Sequence, residues 1–170
     1  MIHIWNEGIA VKTKEITIQL PPDSSFIFGQ THFIKTVEDI YELMVGTSTT
    51  VEFGIGFCEA SGPCLIRSDG NNDELIKAAE TTAYAIACGH TFVIFMRNAY
   101  PINFLPRLKM VPEVVNIFCA TSNPVEVIVA ETEQGRGVLS VIDGFMPKGI
   151  EGPEDKSKRH KFLRDIGYKR

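Results

Sequence analysis

The sequence predicts a layered α/β domain built on a mixed β-sheet. Two observations carry this. Short runs with strand-like alternation are interleaved with longer stretches of 3.6-residue periodicity in the first hundred residues, and strands then follow one another with little helix between them. The chain is also the size of one domain, 170 residues with 44% hydrophobic content. A domain of that size buries roughly 70% of its unfolded surface, so it needs no disulfide staples. The sequence shows no internal repeat or low-complexity stretch, and residues 1–170 read as a single unit.

Taken in order, Lys14 to Leu20 alternates, with Ile16, Ile18 and Leu20 on one face, and reads as a strand. Pro21-Pro22-Asp23-Ser24-Ser25 turns the chain, and a second strand starts at Phe26. Thr36 is the expected cap of a helix whose apolar stripe is Val37, Ile40, Tyr41, Met44 and Val45, stopped by Gly46. Val51 to Cys58 is a strand with one bulky face and one nearly bare face at Gly54 and Gly56. Such a face receives either a ligand or a closely packed helix. A short strand spans Cys64 to Arg67, and 69–72 is a loop. Asn72 caps the longest helix, whose buried stripe includes Leu75, Ile76, Ala79, Ala83 and Ile86 and which Gly89 ends. Thr91 to Met96 is a buried strand. A short helix is expected over Leu105 to Met110, with Pro106 in its first turn. Three strands follow, Val114 to Ala120, Val125 to Ala130 and Val138 to Ile142, and their short links make them antiparallel neighbours. From Phe145 the composition turns charged: residues 145–170 form a tail with a short basic helix near Glu154 to Ile166.

Composition narrows the function classes. Net charge is −4 and the basic residues form no patch outside the tail, which disfavours nucleic-acid binding. Nothing approaches the ~18 apolar residues of a membrane span. Met1 to Ala10 contains Glu7 and no basic region, so it does not read as a secretory signal, and a cytoplasmic location is expected. Cys58, Cys64, Cys88 and Cys119 lack C-x-x-C spacing and read as reduced thiols, not as a zinc site.

The densest chemistry lies in Glu131-Thr132-Glu133-Gln134-Gly135-Arg136-Gly137, set between two strongly hydrophobic strands. A plain hairpin needs only a turn pair such as Asn-Gly. Here glycines let backbone approach a ligand, arginine offers a forked pair of donors to phosphate or carboxylate, and acids suit a ribose, a cation or a proton. The mixture points to a small anionic or nucleotide-like ligand. His90 joins the long helix to a buried strand, where it is either a helix cap or a general base or nucleophile. His32, in Gly29-Gln30-Thr31-His32-Phe33-Ile34-Lys35-Thr36, sits where a strand meets a helix; its amides and Lys35 suit an anion, although no P-loop is present. His3 and His160 read as solvated. Glu59 closes a strand and is a better polar candidate than Cys58, which has no base beside it. Asn103 and Asn123 read a base or ribose or else bond their own turns, and Asp143 holds Mg²⁺ or a hydroxyl or forms a turn.

Together these segments resemble one family. Gly29 to Thr36, Phe57-Cys58-Glu59-Ala60-Ser61-Gly62, Gly89-His90, Pro101-Ile102-Asn103, Ile117 to Thr121 with Asn123-Pro124, and Glu131 to Gly137 with Asp143-Gly144 occur in order, as in the adenosine-specific kinase family. The pattern is departed from at Pro106, Ser122 and Ser140, small changes that bear on fine specificity. The resemblance implies a three-layer α/β domain that assembles as a homotrimer, binds adenosine or AMP, and transfers a phosphoryl group through a phosphohistidine. His90 is the first choice for that histidine and His32 the second, with Arg136 neutralising the moving charge. Mg²⁺ and ATP are the expected metal and donor. His32, Lys35, Glu59, Asn103, Glu131, Gln134, Gly135, Gly137 and Asp143 are the expected ligand contacts. An adenosine or AMP sensor without turnover uses the same pocket, and a mainly structural trimer is a third reading.

Overall fold

A computed structural model describes residues 11–170. Met1–Ala10, on which the reading of the amino terminus and of His3 rests, lie outside the described residues. The elements run β1 Lys12–Ile18, β2 Ser25–Thr31, α1 Thr36–Thr47, β3 Glu52–Cys58, β4 Ile66–Gly70, α2 Asp73–Ile86, β5 Thr91–Arg97, α3 Pro101–Leu108, β6 Val114–Thr121, β7 Val125–Glu131, β8 Arg136–Asp143 and α4 Pro153–Asp165.

The strands form two sheets, not one mixed sheet. A five-stranded sheet has the order β4-β3-β5-β2-β6 and a three-stranded sheet the order β1-β7-β8. Every strand pair among the described residues is antiparallel. The helix-linked strands β2 and β3 do run in the same direction, as the alternation of strands and helices suggests. They are not neighbours, because β5 is inserted between them and pairs with both. The three late strands are also divided: β6 joins the edge of the larger sheet beside β2, and only β7 and β8 form a hairpin, which β1 completes.

Two apolar clusters cover the faces of the larger sheet. Ile27, Ile55, Phe57, Phe92 and Ile94 point toward α1 and α3, packing on Ile40, Met44, Phe104 and Leu108. Phe26, Phe28, Val93 and Phe95 point the other way, against Leu75, Ala79 and Ala83 of α2 and Val125, Val127 and Val129 of β7. The bare face of β3 belongs to α2. A Cβ on Gly54 would collide with the backbone of Leu75 and Ile76, and one on Gly56 would lie 2.5 Å from the Ala79 carbonyl oxygen. These glycines therefore serve helix packing, the structural alternative raised by the sequence.

Helix ends follow local chemistry with some shifts. Asn72 caps α2, its Oδ1 accepting from Leu75 N–H at 3.1 Å. Ala87, in the left-handed region at φ 53°, ends that helix in place of Gly89. Thr36 is the first residue of α1 and not its cap. The third helix begins at Pro101, not near Leu105, so Pro106 lies inside it and not in its first turn. The true first-turn proline is Pro101, and Asn103 Oδ1 accepts from Tyr100 N–H at 3.1 Å.

Candidate functional site

Four connections meet at one end of the larger sheet: those leaving β2 and β3 and those entering β5 and β6. Backbone hydrogen bonds lace them. Thr31 N–H donates to the His90 carbonyl (2.8 Å), His90 N–H to the Cys58 carbonyl (2.8 Å), and Glu59 N–H to the Leu65 carbonyl (3.2 Å). His32, Glu59 and His90, distant in sequence, are held side by side in this way.

On the α2 side this end opens into a cleft of about 950 Å³, whose lining includes Glu59, Leu65, Tyr84, Gln134 and Arg136. Gly135 and Gly137 also line it, and no atom lies within 4 Å of where a Cβ on either would sit, so a ligand can approach their backbone. Arg136 is firmly placed. Its Nε donates to Glu131 Oε2 at 2.6 Å and its Nη1 to the Ala85 carbonyl at 2.9 Å, so it ties the β7–β8 hairpin to the negative end of α2. Glu131 also takes Lys14 Nζ at 2.7 Å. Hydrogen bonds from Lys14 and then Arg136 hold the Glu131 carboxyl below the usual carboxylate range. Glu59 turns back on its own loop, accepting from Ala60 N–H at 3.0 Å, and has no basic partner among the described residues. Burial pushes the Cys58 thiol up, so it stays protonated and unreactive.

The opposite face of the same sheet end holds the histidines. The His90 ring stacks on Phe57, centroids 6.1 Å apart, and its backbone is left-handed at φ 59°. That conformation costs a non-glycine residue about 1 kcal/mol or more and is held here by the His90 backbone bonds to Thr31 and Cys58. His32 is exposed, and its Nδ1 lies 3.1 Å from the Glu113 carbonyl oxygen. A carbonyl only accepts, so Nδ1 carries a proton in this contact and Nε2 is left for another partner. Lys35 pairs with Asp39 and, at 2.6 Å, with Glu113. Hydrogen bonds to Asp39 and then Glu113 raise its pKa well above the ordinary lysine value, and Lys35 in turn lowers that of Glu113.

The sheet end thus gathers His32, Lys35, Glu59, His90, Glu131, Gln134, Gly135, Arg136 and Gly137. Two expected contacts lie elsewhere. Asn103 caps α3, and Asp143 ends β8 beside Asn123, whose Nδ2 donates to its Oδ1 at 3.3 Å. Asn123 and Asp143 lie at the open end of the β7–β8 hairpin, where Val125 pairs with Asp143. Sequence reasoning missed Glu113 and Tyr84. Glu113 is 4% exposed, with Oε2 unpartnered, yet it stands in a polar loop with no periodicity to mark it.

The described residues form an antiparallel two-sheet α/β domain with a largely apolar, ligand-sized cleft on one face of a sheet end and two histidines on the other. The chain belongs to the adenosine-specific kinase family: the model of that family, described as "Adenosine specific kinase", matches residues 16–169. It is similar to the crystal structure of the PH1918 protein from Pyrococcus horikoshii OT3, with 42% identity over 95% of this chain and 99% of that one and a TM-score of 0.91. No curated protein matches it.

Proposed function

We propose that this protein phosphorylates adenosine to AMP through a phosphohistidine, with His32 as the acceptor and His90 beside it. The observation that carries the reading is the backbone lacing that holds the His32 and His90 loops, whose rings lie on one face of the sheet end, against the Glu59 loop that lines the cleft on the other. Leu65 and Tyr84 give the cleft apolar surface for a base, Glu59 and Gln134 face it as polar contacts, and Gly135 and Gly137 leave that stretch of its wall bare of side chains. His32 ranks ahead of His90 here because its Nδ1 is anchored and its Nε2 is free. In the first step the Nε2 lone pair forms a bond to the donor's terminal phosphorus and the bond to the nucleotide leaving oxygen breaks. In the second the adenosine hydroxyl takes the phosphoryl group, releases its proton and frees the imidazole.

ATP is the proposed donor. Among the described residues no three His, Cys, Asp or Glu side chains gather as a metal site. Mg²⁺ would therefore arrive with the donor's phosphates, with Glu59 as the carboxylate at hand, and would neutralise phosphate charge. Self-association as a homotrimer and a cytoplasmic location complete the proposal. Among the described residues no helix is long and apolar enough to cross a membrane, and the net charge of −4 disfavours nucleic acid.

A second reading, a sensor that binds adenosine or AMP without turnover, is favoured by one observation: Lys35 and Arg136 are both engaged by carboxylates of their own chain. Intact mass and chromatography separate the two. Incubation with ATP and adenosine should add one acid-labile phosphate and form AMP. Saturable adenosine binding with neither product overturns the kinase reading in favour of the sensor.

A further inference from the structure

We propose that residues 145–170 form an arm that packs on a second copy of this chain. This deepens the self-association proposed above by naming the surface that makes it. No residue of α4 is buried, and along it only Leu163 is even half-buried. An isolated helix of this length is marginal in water, so its order depends on a surface it lies against. The stretch leading to it is apolar and bare: Phe145, Met146 and Ile150 are 82%, 88% and 100% exposed. Phe162 and Ile166 add exposed apolar surface at the far end of the arm. Apolar side chains concentrated in one segment mark a contact, where scattered ones do not.

Charge identifies the occupant. Residues 153–170 carry seven Lys and Arg against three Asp and Glu, a net +4, and the remaining 152 carry ten against eighteen, a net −8. The arm is thus complementary to the body of its own chain type. A body of net −8 would repel nucleic acid, and the exposed Phe and Met side chains match apolar protein surface instead. The body offers such surface in Leu139 and Ile142 of β8 and Val115 of β6, all exposed.

The test uses full-length protein. Light scattering should give the wild type a multiple of the 18.9 kDa chain mass. Hydrogen exchange over 153–165 should be slowed in proportion to assembly, at least tenfold. The double variant Phe145→Asp/Met146→Asp should fall to the single-chain mass and lose that protection. The double variant Lys156→Glu/Lys158→Glu, which leaves the apolar residues in place, should weaken association at least tenfold at low salt. Assembly of wild-type mass in both variants, with 153–165 exchanging freely, overturns the arm while leaving self-association standing. Protection of 153–165 in a single-chain wild type overturns both, since the arm then folds on its own body. AMP formation is scored separately and bears only on the kinase reading.

Discussion

The imidazole of His90 and the guanidinium of Arg136 lie on opposite faces of the same sheet end. His90 stacks on Phe57, a member of the core under α1 and α3, whereas Arg136 bonds the Ala85 carbonyl at the end of α2. Within one chain the two do not face a common phosphoryl group. Arg136 therefore acts first as an anchor for the hairpin that walls the cleft, and the histidine corner depends on its own neighbours, Lys35 and Glu113.

His32→Ala is expected to abolish the acid-labile phosphate and AMP formation, with folding unchanged, because the side chain is exposed. His90→Gly should keep stability within about 1 kcal/mol, since glycine relieves the left-handed backbone while the Phe57 stack is lost. Its turnover should fall at least tenfold. Wild-type turnover in His90→Gly would show that the ring serves the fold alone.

Arg136→Met removes the bonds to the Ala85 carbonyl and to Glu131. We expect a loss of about 1–2 kcal/mol of stability and weaker adenosine binding as the hairpin loosens. Calorimetry of unfolding and of binding tests both. A variant that binds adenosine as tightly as wild type would take the hairpin out of the site.

The two classes of glycine separate packing from ligand approach. Gly54→Ala forces a Cβ into the α2 backbone and should cost on the order of 3 kcal/mol or more, because backbone cannot move aside as a flexible side chain can. Gly137→Ala meets nothing within 4 Å and should leave stability unchanged while lowering adenosine affinity. Unfolding midpoints of the two variants that differ little would contradict this division.

Much of this arrangement is legible from sequence because it is local. The Asn72 cap, the alanine-rich stripe of α2 and the β7–β8 hairpin follow from residue types a few positions apart. What escaped is long-range. The insertion of β5 between β2 and β3, and the departure of β6 to the other sheet, depend on which strands pair, and alternation of apolar residues is the same for any partner. Asn103 shows the matching limit for the site: its amide suits a ligand and a helix start equally, and only the chain direction at Tyr100 decides for the cap. Glu113 had no signal at all, since its burial arises from the β2–β6 pairing.

The acid limit of stability should be set in part by Glu113 and Glu131. Their carboxyls are held low in the folded chain, Glu113 by Lys35 and Glu131 by Lys14 and Arg136. A depressed folded pKa contributes stability that is present above the unfolded value, about 4.3 for glutamate, and is lost as pH falls through the folded value. Lys35 has the opposite sign. Its raised pKa contributes stability that is complete below the unfolded value, about 10.4, and disappears only as pH rises through the higher folded one. The Lys35–Glu113 pair is thus intact from about pH 5 to 10, and the unfolding temperature should be nearly flat over the neutral range and drop below about pH 4. Glu113→Gln should lower the neutral plateau and flatten the acid decline, because the group that titrates is gone. An acid decline in Glu113→Gln as steep as in wild type would assign the loss to other carboxylates and remove Glu113 from the account.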